Sequence, residues 1–202
     1  HSLTLSVRSG GHSFAGFGTN TGGLVIDLSA MKDIQLIDPA KNSVRIEAGA
    51  TWGEVAEELA HHRLAISSGD TKSVGVGGLT LGGGLGWLAR KFGLAIDSLL
   101  AAQVVTASGE ILRTSAVEYP DLFWALRGGG GNFGVVTSFE FAAQPMGRIF
   151  AGTIVYGTEN LAGVIQGWRD AMRSAPEELT TSLLSMPPFA GNPAALMVMC
   201  CY

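Results

Sequence analysis

His12 is the residue best placed to do chemistry in this sequence. It stands in Arg8-Ser9-Gly10-Gly11-His12-Ser13, between an alternating apolar run and a stretch rich in glycine. An imidazole there has a cation, Arg8, and unshielded backbone N–H groups as neighbours. Such a nest suits an anionic ligand with the imidazole facing it. A solvated loop histidine is the plainer alternative.

Other constellations fail on spacing. A phosphate-cradling P-loop needs Gly-Lys-Ser/Thr, and no Gly-Lys pair occurs. Gly-x-Gly-x-x-Gly occurs at Gly129, Gly131 and Gly134, but a helical pattern precedes it and a strand follows. A dinucleotide fingerprint needs the opposite order, so that pyrophosphate meets a helix N-terminus. No Gly-x-Ser-x-Gly nucleophile elbow is present. His61 and His62 fall on the polar side of a helix end, and Glu57-Glu58 and Glu177-Glu178 read as surface charge. Cys200 and Cys201 are adjacent and form neither a disulfide framework nor a zinc spacing. They are expected to be reduced structural thiols in a cytoplasmic protein. No metal site is expected, and no catalytic base can be named.

Glycine is the compositional anomaly, with 29 in 202 residues, about twice the usual share. Most fall in three clusters: Gly10 to Gly23, Gly69 to Gly86 and Gly128 to Gly134. Tight turns explain one such cluster. Three in one chain favour backbone that approaches a large ligand closely. The 47% hydrophobic content excludes a disordered chain, and glycine has no three-residue period. Thirteen basic and seventeen acidic residues give a net charge of −4 with no basic cluster, so no nucleic-acid partner is expected. The uncharged run 73–89 is glycine-rich and 179–202 is broken by Pro187, Pro188 and Pro193, so no membrane helix is expected.

The elements that must hold these loops follow from periodicity. Strands are expected at Leu3–Arg8 and Leu24–Leu28, with a hairpin of Ile34–Ile37 and Val44–Glu47 around Asp38-Pro39. Thr51-Trp52-Gly53-Glu54 has the capping-box pattern and opens a helix whose inner face is Val55, Ala56, Leu59 and Ala60. Leu64–Ser67 is a short strand. Leu99–Thr106 and Glu110–Thr114 form a hairpin across Ser108-Gly109. Pro120–Arg127 is a short helix ending at Gly128, with Leu122, Phe123 and Leu126 inward, and Val135–Phe141 is a strand. Beyond Gln144-Pro145 the composition changes. Strands are expected at Ile149–Tyr156, Leu179–Met186 and Ala195–Tyr202. An amphipathic helix at Asn160–Arg173 is expected to turn Leu161, Val164, Ile165, Trp168 and Met172 inward. A domain boundary is expected near Met146, giving domains 1–145 and 146–202. With no initial methionine and an apolar strand at its end, the chain is expected to be part of a longer protein.

The loop Arg8 to Ser13 resembles the flavin-attachment loop of the berberine bridge enzyme-like FAD-linked oxidases, which share the p-cresol methylhydroxylase (PCMH)-type FAD-binding fold with vanillyl-alcohol oxidase. Gly69 to Trp87, continued by Arg90 to Asp97, resembles their second FAD-contacting segment. Asp121 to Arg127 with Gly128 to Thr137 resembles the third. The match spans about residues 3–145 in order, far more specific than one glycine motif. It implies an α+β fold: an FAD-binding domain of two subdomains, its N-terminal unit missing, then the start of an antiparallel-sheet substrate domain. It implies an FAD-dependent oxidase or dehydrogenase that moves a hydride from a small organic substrate such as a sugar, alcohol or alkaloid to the flavin. Oxygen or another acceptor then reoxidises the flavin. A non-catalytic flavin-binding module is the alternative. The cofactor-binding residues implied are Arg8, Ser9, Gly10, Gly11, His12 and Ser13 from the first segment. From the second they are Gly69, Asp70, Val74, Gly75, Gly77, Gly78, Gly82, Gly83, Gly84 and Gly86. Gly134 and Val136 come from the third. The resemblance implies covalent attachment through His12. Many members add a second bond through a cysteine, but Thr71 stands at that position here, so a single bond is implied.

Overall fold

The computed structural model describes residues 3–202. The chain separates into two compact units, one ending at Gly147 and the other covering Arg148–Tyr202.

In the first unit, β1 (Leu5–Arg8) and β2 (Leu24–Asp27) pair in parallel, so both leave the pair at the same end. The loop that carries His12 starts there. A five-stranded sheet forms the rest of the frame. Its strands are β3 (Ile34–Asp38), β4 (Ser43–Glu47), β6 (Leu99–Val105), β7 (Ile111–Ser115) and β8 (Val135–Ala142). They lie in the order β3-β4-β8-β6-β7, with every neighbouring pair antiparallel. The short strand β5 (Leu64–Ala65) pairs with β9 (Gln144–Pro145). β8 is central because its apolar side chains anchor the core. Phe139 and Phe141 are wholly buried, and Trp52 meets Phe141 edge-on at 5.9 Å between ring centroids. Burying each such ring contributes about 1.5–3 kcal/mol.

Helix α1 (Trp52–His61) begins at the expected capping box. Thr51 Oγ1 accepts from the Glu54 amide at 3.4 Å, and Glu54 Oε2 accepts from the Thr51 amide at 2.8 Å. Its inner face differs from expectation. Trp52, Val55 and Leu59 are buried, whereas Ala56 and Ala60 are exposed, because the stripe starts at Trp52 and steps by three and four residues. The β6–β7 hairpin closes at Gly109, whose φ of +86° only glycine adopts easily. Helix α4 (Pro120–Leu126) starts on proline and turns Phe123 and Leu126 fully inward, with Leu122 half-buried.

Helix α2 (Val76–Leu81) has no counterpart in the sequence expectations. Gly77 and Gly78 disfavour a helix intrinsically, by about 1 kcal/mol each relative to alanine. Tertiary contact overrides that. Val76, Gly77 and Thr80 are buried, and the amides of Val76 and Gly77 donate to the carbonyls of Ala50 and Ala48 at 2.9 and 3.1 Å. A single-turn helix, α3 (Ala89–Phe92), follows.

The second unit is a three-stranded antiparallel sheet in the order β10-β12-β11, formed by β10 (Ala151–Tyr156), β11 (Thr180–Met186) and β12 (Ala195–Cys201). Helix α5 (Leu161–Ser174) is capped by Asn160, whose Oδ1 accepts from the Gly163 amide at 3.1 Å. Val164, Trp168 and Met172 are half-buried, and Trp168 Nε1 donates to Thr181 Oγ1 at 2.9 Å. Leu161 and Ile165, expected inward, are exposed. A cavity of about 480 Å³ lies between α5 and the sheet, bordered by Ile154, Trp168, Met172 and Val198. Among the described residues no helix is long and apolar enough to cross a membrane.

Candidate functional site

The three glycine-rich segments, separated by tens of residues in sequence, converge on α2. The first docks through backbone contact. A Cβ on Gly10 would fall on the backbone nitrogen of Gly75, and a Cβ on Gly75 would fall on the Gly10 nitrogen and Ser9 Oγ. Only two glycines let these loops touch main chain to main chain. Ser9 fastens the same junction, its Oγ donating to the Ala48 carbonyl at 2.6 Å. The third segment packs on α2 through the 3-10 turn Gly130–Phe133 and the start of β8.

This docking leaves the Arg8–Ser13 loop with unspent donors. Among the described residues, the amides of Gly10, Gly11, His12 and Ser13 donate to no protein acceptor. Gly11 has φ of +73°, the left-handed turn that lets successive N–H groups converge. The Arg8 guanidinium is exposed and makes no hydrogen bond or ion pair with a described residue. Asp27, level with Arg8 on β2, has its carboxyl held below the usual carboxylate range. The Ser29 amide is the main cause, and the Arg8 charge adds a smaller pull. Four amides without a protein acceptor, beside a guanidinium that makes no hydrogen bond with a described residue, offer donors and charge to an anion.

His12 is exposed, and its Nε2 lies 3.0 Å from Ser73 Oγ. This bond ties the first segment to the second. Ser73 is itself pinned, because the Lys72 and Val74 carbonyls on either side accept from the Gly53 and Trp52 amides at 2.8 and 2.9 Å. Nothing local in the sequence marks Ser73 for this contact beyond its position two residues ahead of Gly75.

The remaining second-segment residues divide by what surrounds them. Gly78 is exposed, and a Cβ there would find nothing within 4 Å; at Gly82 the nearest atom would be 3.5 Å away. These positions leave open surface for a ligand. Gly77 does not: its Cβ would meet the Ala48 carbonyl at 3.1 Å and Ser9 Cβ at 3.2 Å. Gly84 and Gly86 likewise sit against Ala95 and Ser68, and the Gly83 and Gly84 carbonyls accept from Ile96 and Ala95. Glycine at 84 and 86 is therefore required by protein packing, and at 77 a Cβ would make its neighbours give by a few tenths of an ångström. Gly69 packs near Leu79, Asp70 accepts from Thr71 Oγ1 at 2.9 Å, and Val74 is half-buried against the core. Thr71 is exposed and its hydroxyl is committed to Asp70.

Gly134 presses on β6, where a Cβ would meet the Val105 carbonyl at 2.7 Å. The Val136 side chain is in the core at 3% exposure, so only its main chain is available to a ligand. The loop after His12 presents Phe14 and Phe17, 110% and 78% exposed. Apolar rings beside an anion nest fit a ligand that has both a diphosphate and a flat ring system.

That chemistry is FAD's, and the comparisons agree. A family model described as FAD binding domain matches residues 1–115. (R)-6-hydroxynicotine oxidase of Paenarthrobacter nicotinovorans is 42% identical over 184 residues, covering 90% of this chain and 40% of the relative. The crystal structure of 6-hydroxy-D-nicotine oxidase from Arthrobacter nicotinovorans superposes with a TM-score of 0.92 at 38% identity, over 99% of this chain and 44% of the other. Berberine bridge enzyme from Eschscholzia californica superposes with a TM-score of 0.87 at 28% identity, over 100% of this chain and 41% of that one. The chain thus spans well under half the length of the proteins it resembles. With more than half of its residues matched by the family model and its backbone following these flavoenzymes from end to end, the chain belongs to the FAD binding domain family, with the PCMH-type fold of the berberine bridge enzyme-like oxidases.

Proposed function

We propose that this chain carries the FAD-holding part of an FAD-linked oxidoreductase, with the cofactor joined covalently to His12 alone. The first unit is the FAD-binding domain, and the second begins a substrate domain. The substrate is a small organic molecule such as a sugar, alcohol or alkaloid, and oxygen or another acceptor takes the electrons. The single observation that carries this reading is the convergence of His12, four unpaired amides and an uncommitted Arg8 at a junction built from two facing glycines.

Bound FAD supplies the redox chemistry, accepting a hydride from a substrate C–H bond. The chain's residues supply position and charge. Amides 10–13 and Arg8 would hold the diphosphate. His12, on the same loop, would hold the flavin end through its imidazole. Gly78 and Gly82 keep side chains off the α2 surface, so the cofactor can lie against backbone there. Gly134 and the Val136 main chain serve the third contact. Thr71 carries no thiol and makes no second bond to the flavin.

The test is the visible spectrum of the purified full-length protein before and after acid precipitation, followed by peptide mapping. Yellow colour should stay with the precipitate and map to the peptide containing His12, with none on the peptide containing Thr71. His12→Ala should release the flavin in acid while still binding it when native. Complete release of flavin from the unmodified protein would falsify the covalent bond.

A further inference from the structure

Building on the attachment through His12, we propose that Ser73 is the positioning residue that selects which imidazole nitrogen bonds to the flavin. A neutral imidazole carries hydrogen on one nitrogen and a lone pair on the other, and its hydrogen-bond partner fixes which is which. Ser73 Oγ stands 3.0 Å from Nε2. The hydroxyl can donate or accept, so its contribution is positional: it occupies Nε2 and leaves Nδ1 as the nitrogen open to the flavin. In the tautomer whose Nε2–H donates to Ser73 Oγ, the lone pair on Nδ1 is the nucleophile.

The placement is rigid, and that makes it a selection. Ser73 is bracketed by the Lys72 and Val74 carbonyls, both bonded to the first turn of α1, and its own carbonyl lies against Gly10. Backbone so fixed keeps Ser73 Oγ within reach of Nε2 and favours one orientation of the ring relative to the loop that carries it. The covalent step then balances as follows. One C–H bond of the ring methyl and the imidazole N–H bond break, and a C–N bond forms between the methyl carbon and Nδ1. The two electrons pass to dioxygen, which takes up two protons from water to give hydrogen peroxide, balancing the two protons released to water from the methyl group and the imidazole. The departing imidazole proton sits on Nε2, where Ser73 Oγ receives it and hands it to water. Afterwards Nε2 holds the lone pair, and the same hydrogen bond persists with the serine donating.

The experiment uses the full-length apo-protein and FAD. Ser73→Ala should still bind FAD noncovalently, since the loop amides and Arg8 are untouched, yet incorporate it covalently about tenfold more slowly, the loss of one hydrogen bond at the reacting group. Ser73→Thr, which keeps the hydroxyl, should restore the rate. NMR of the wild-type flavopeptide, independent of any variant, should show the link at Nδ1. Wild-type incorporation in Ser73→Ala, or a link at Nε2, overturns the role of Ser73 while leaving the His12 attachment intact. Absence of covalent flavin from wild type overturns the attachment itself, and Ser73's role with it.

Discussion

Replacing either of two glycines three residues apart should have opposite effects on stability. Gly75 and Gly78 both belong to the second glycine-rich segment, and neither has a positive φ, so backbone strain plays no part. At Gly75 a methyl group would occupy the space of the Gly10 nitrogen and Ser9 Oγ. Main chain cannot rotate away as a side chain can. The loops must separate, so Gly75→Ala should cost about 2–3 kcal/mol, the upper range for overpacking. For a chain of this size that lowers the melting temperature by about 4–12 °C. At Gly78 a methyl group would meet nothing, and it would sit within α2. Gly78→Ala should therefore stabilise the apo-protein by about 0.5–1 kcal/mol through helix propensity alone. Because the proposed cofactor surface is that same open face, it should also weaken FAD binding by about tenfold or more, which is 1.4 kcal/mol. Thermal unfolding of the full-length apo-protein and flavin titration measure the two effects separately. Wild-type melting of Gly75→Ala would refute the loop junction. A stabilised Gly78→Ala with unchanged FAD affinity would remove the cofactor from that face of α2. Gly77→Val, by contrast, should lose stability and flavin together, since its Cβ would stand 3.1 Å from the Ala48 carbonyl and 3.2 Å from Ser9 Cβ, with no room for two further methyl groups.

Arg8→Gln, made together with His12→Ala so that binding is reversible, should weaken FAD by about 1.5–3 kcal/mol, the worth of a charged hydrogen bond, and flatten the salt dependence measured by titration. Lys32 at 2.7 Å, then the Thr51 amide, holds the Glu54 carboxyl below the usual range. Its stabilisation is therefore complete above the unfolded carboxylate value and disappears as pH falls through the lower folded value. Acid unfolding of Glu54→Gln should show a shallower slope in that window; an unchanged slope would contradict it. Burial raises the Cys201 thiol, so stability should decline as pH climbs above the unfolded thiol value, and the decline should be smaller in Cys201→Ala. Under native conditions iodoacetamide should label Cys200 ahead of Cys201, as peptide mapping can show.

The sequence by itself determined most of the strands, the two long helices and the capping box of α1, since these rest on local pattern. The Thr51–Glu54 box, the Gly109 turn, Pro120 at the start of α4 and Asn160 before α5 each act within four residues. It also identified the loop around His12, because few backbones need so many glycines beside a histidine and an arginine. Helix α2 escaped it, because Gly77-Gly78 argues locally against a helix and the compensating bonds come from Ala48 and Ala50. The purpose of each glycine was equally hidden. Gly10 and Gly75 are glycines on account of each other, sixty-five positions apart, while Gly78 faces open space. Composition cannot separate those cases, because the difference lies in what stands where a Cβ would be. Ser73 went unremarked for the same reason. A serine between Lys72 and Val74 has no signature, and it gains a role only when the chain brings His12 to 3.0 Å from its hydroxyl. Local propensities place the elements, and the long-range backbone contacts decide which side chains meet.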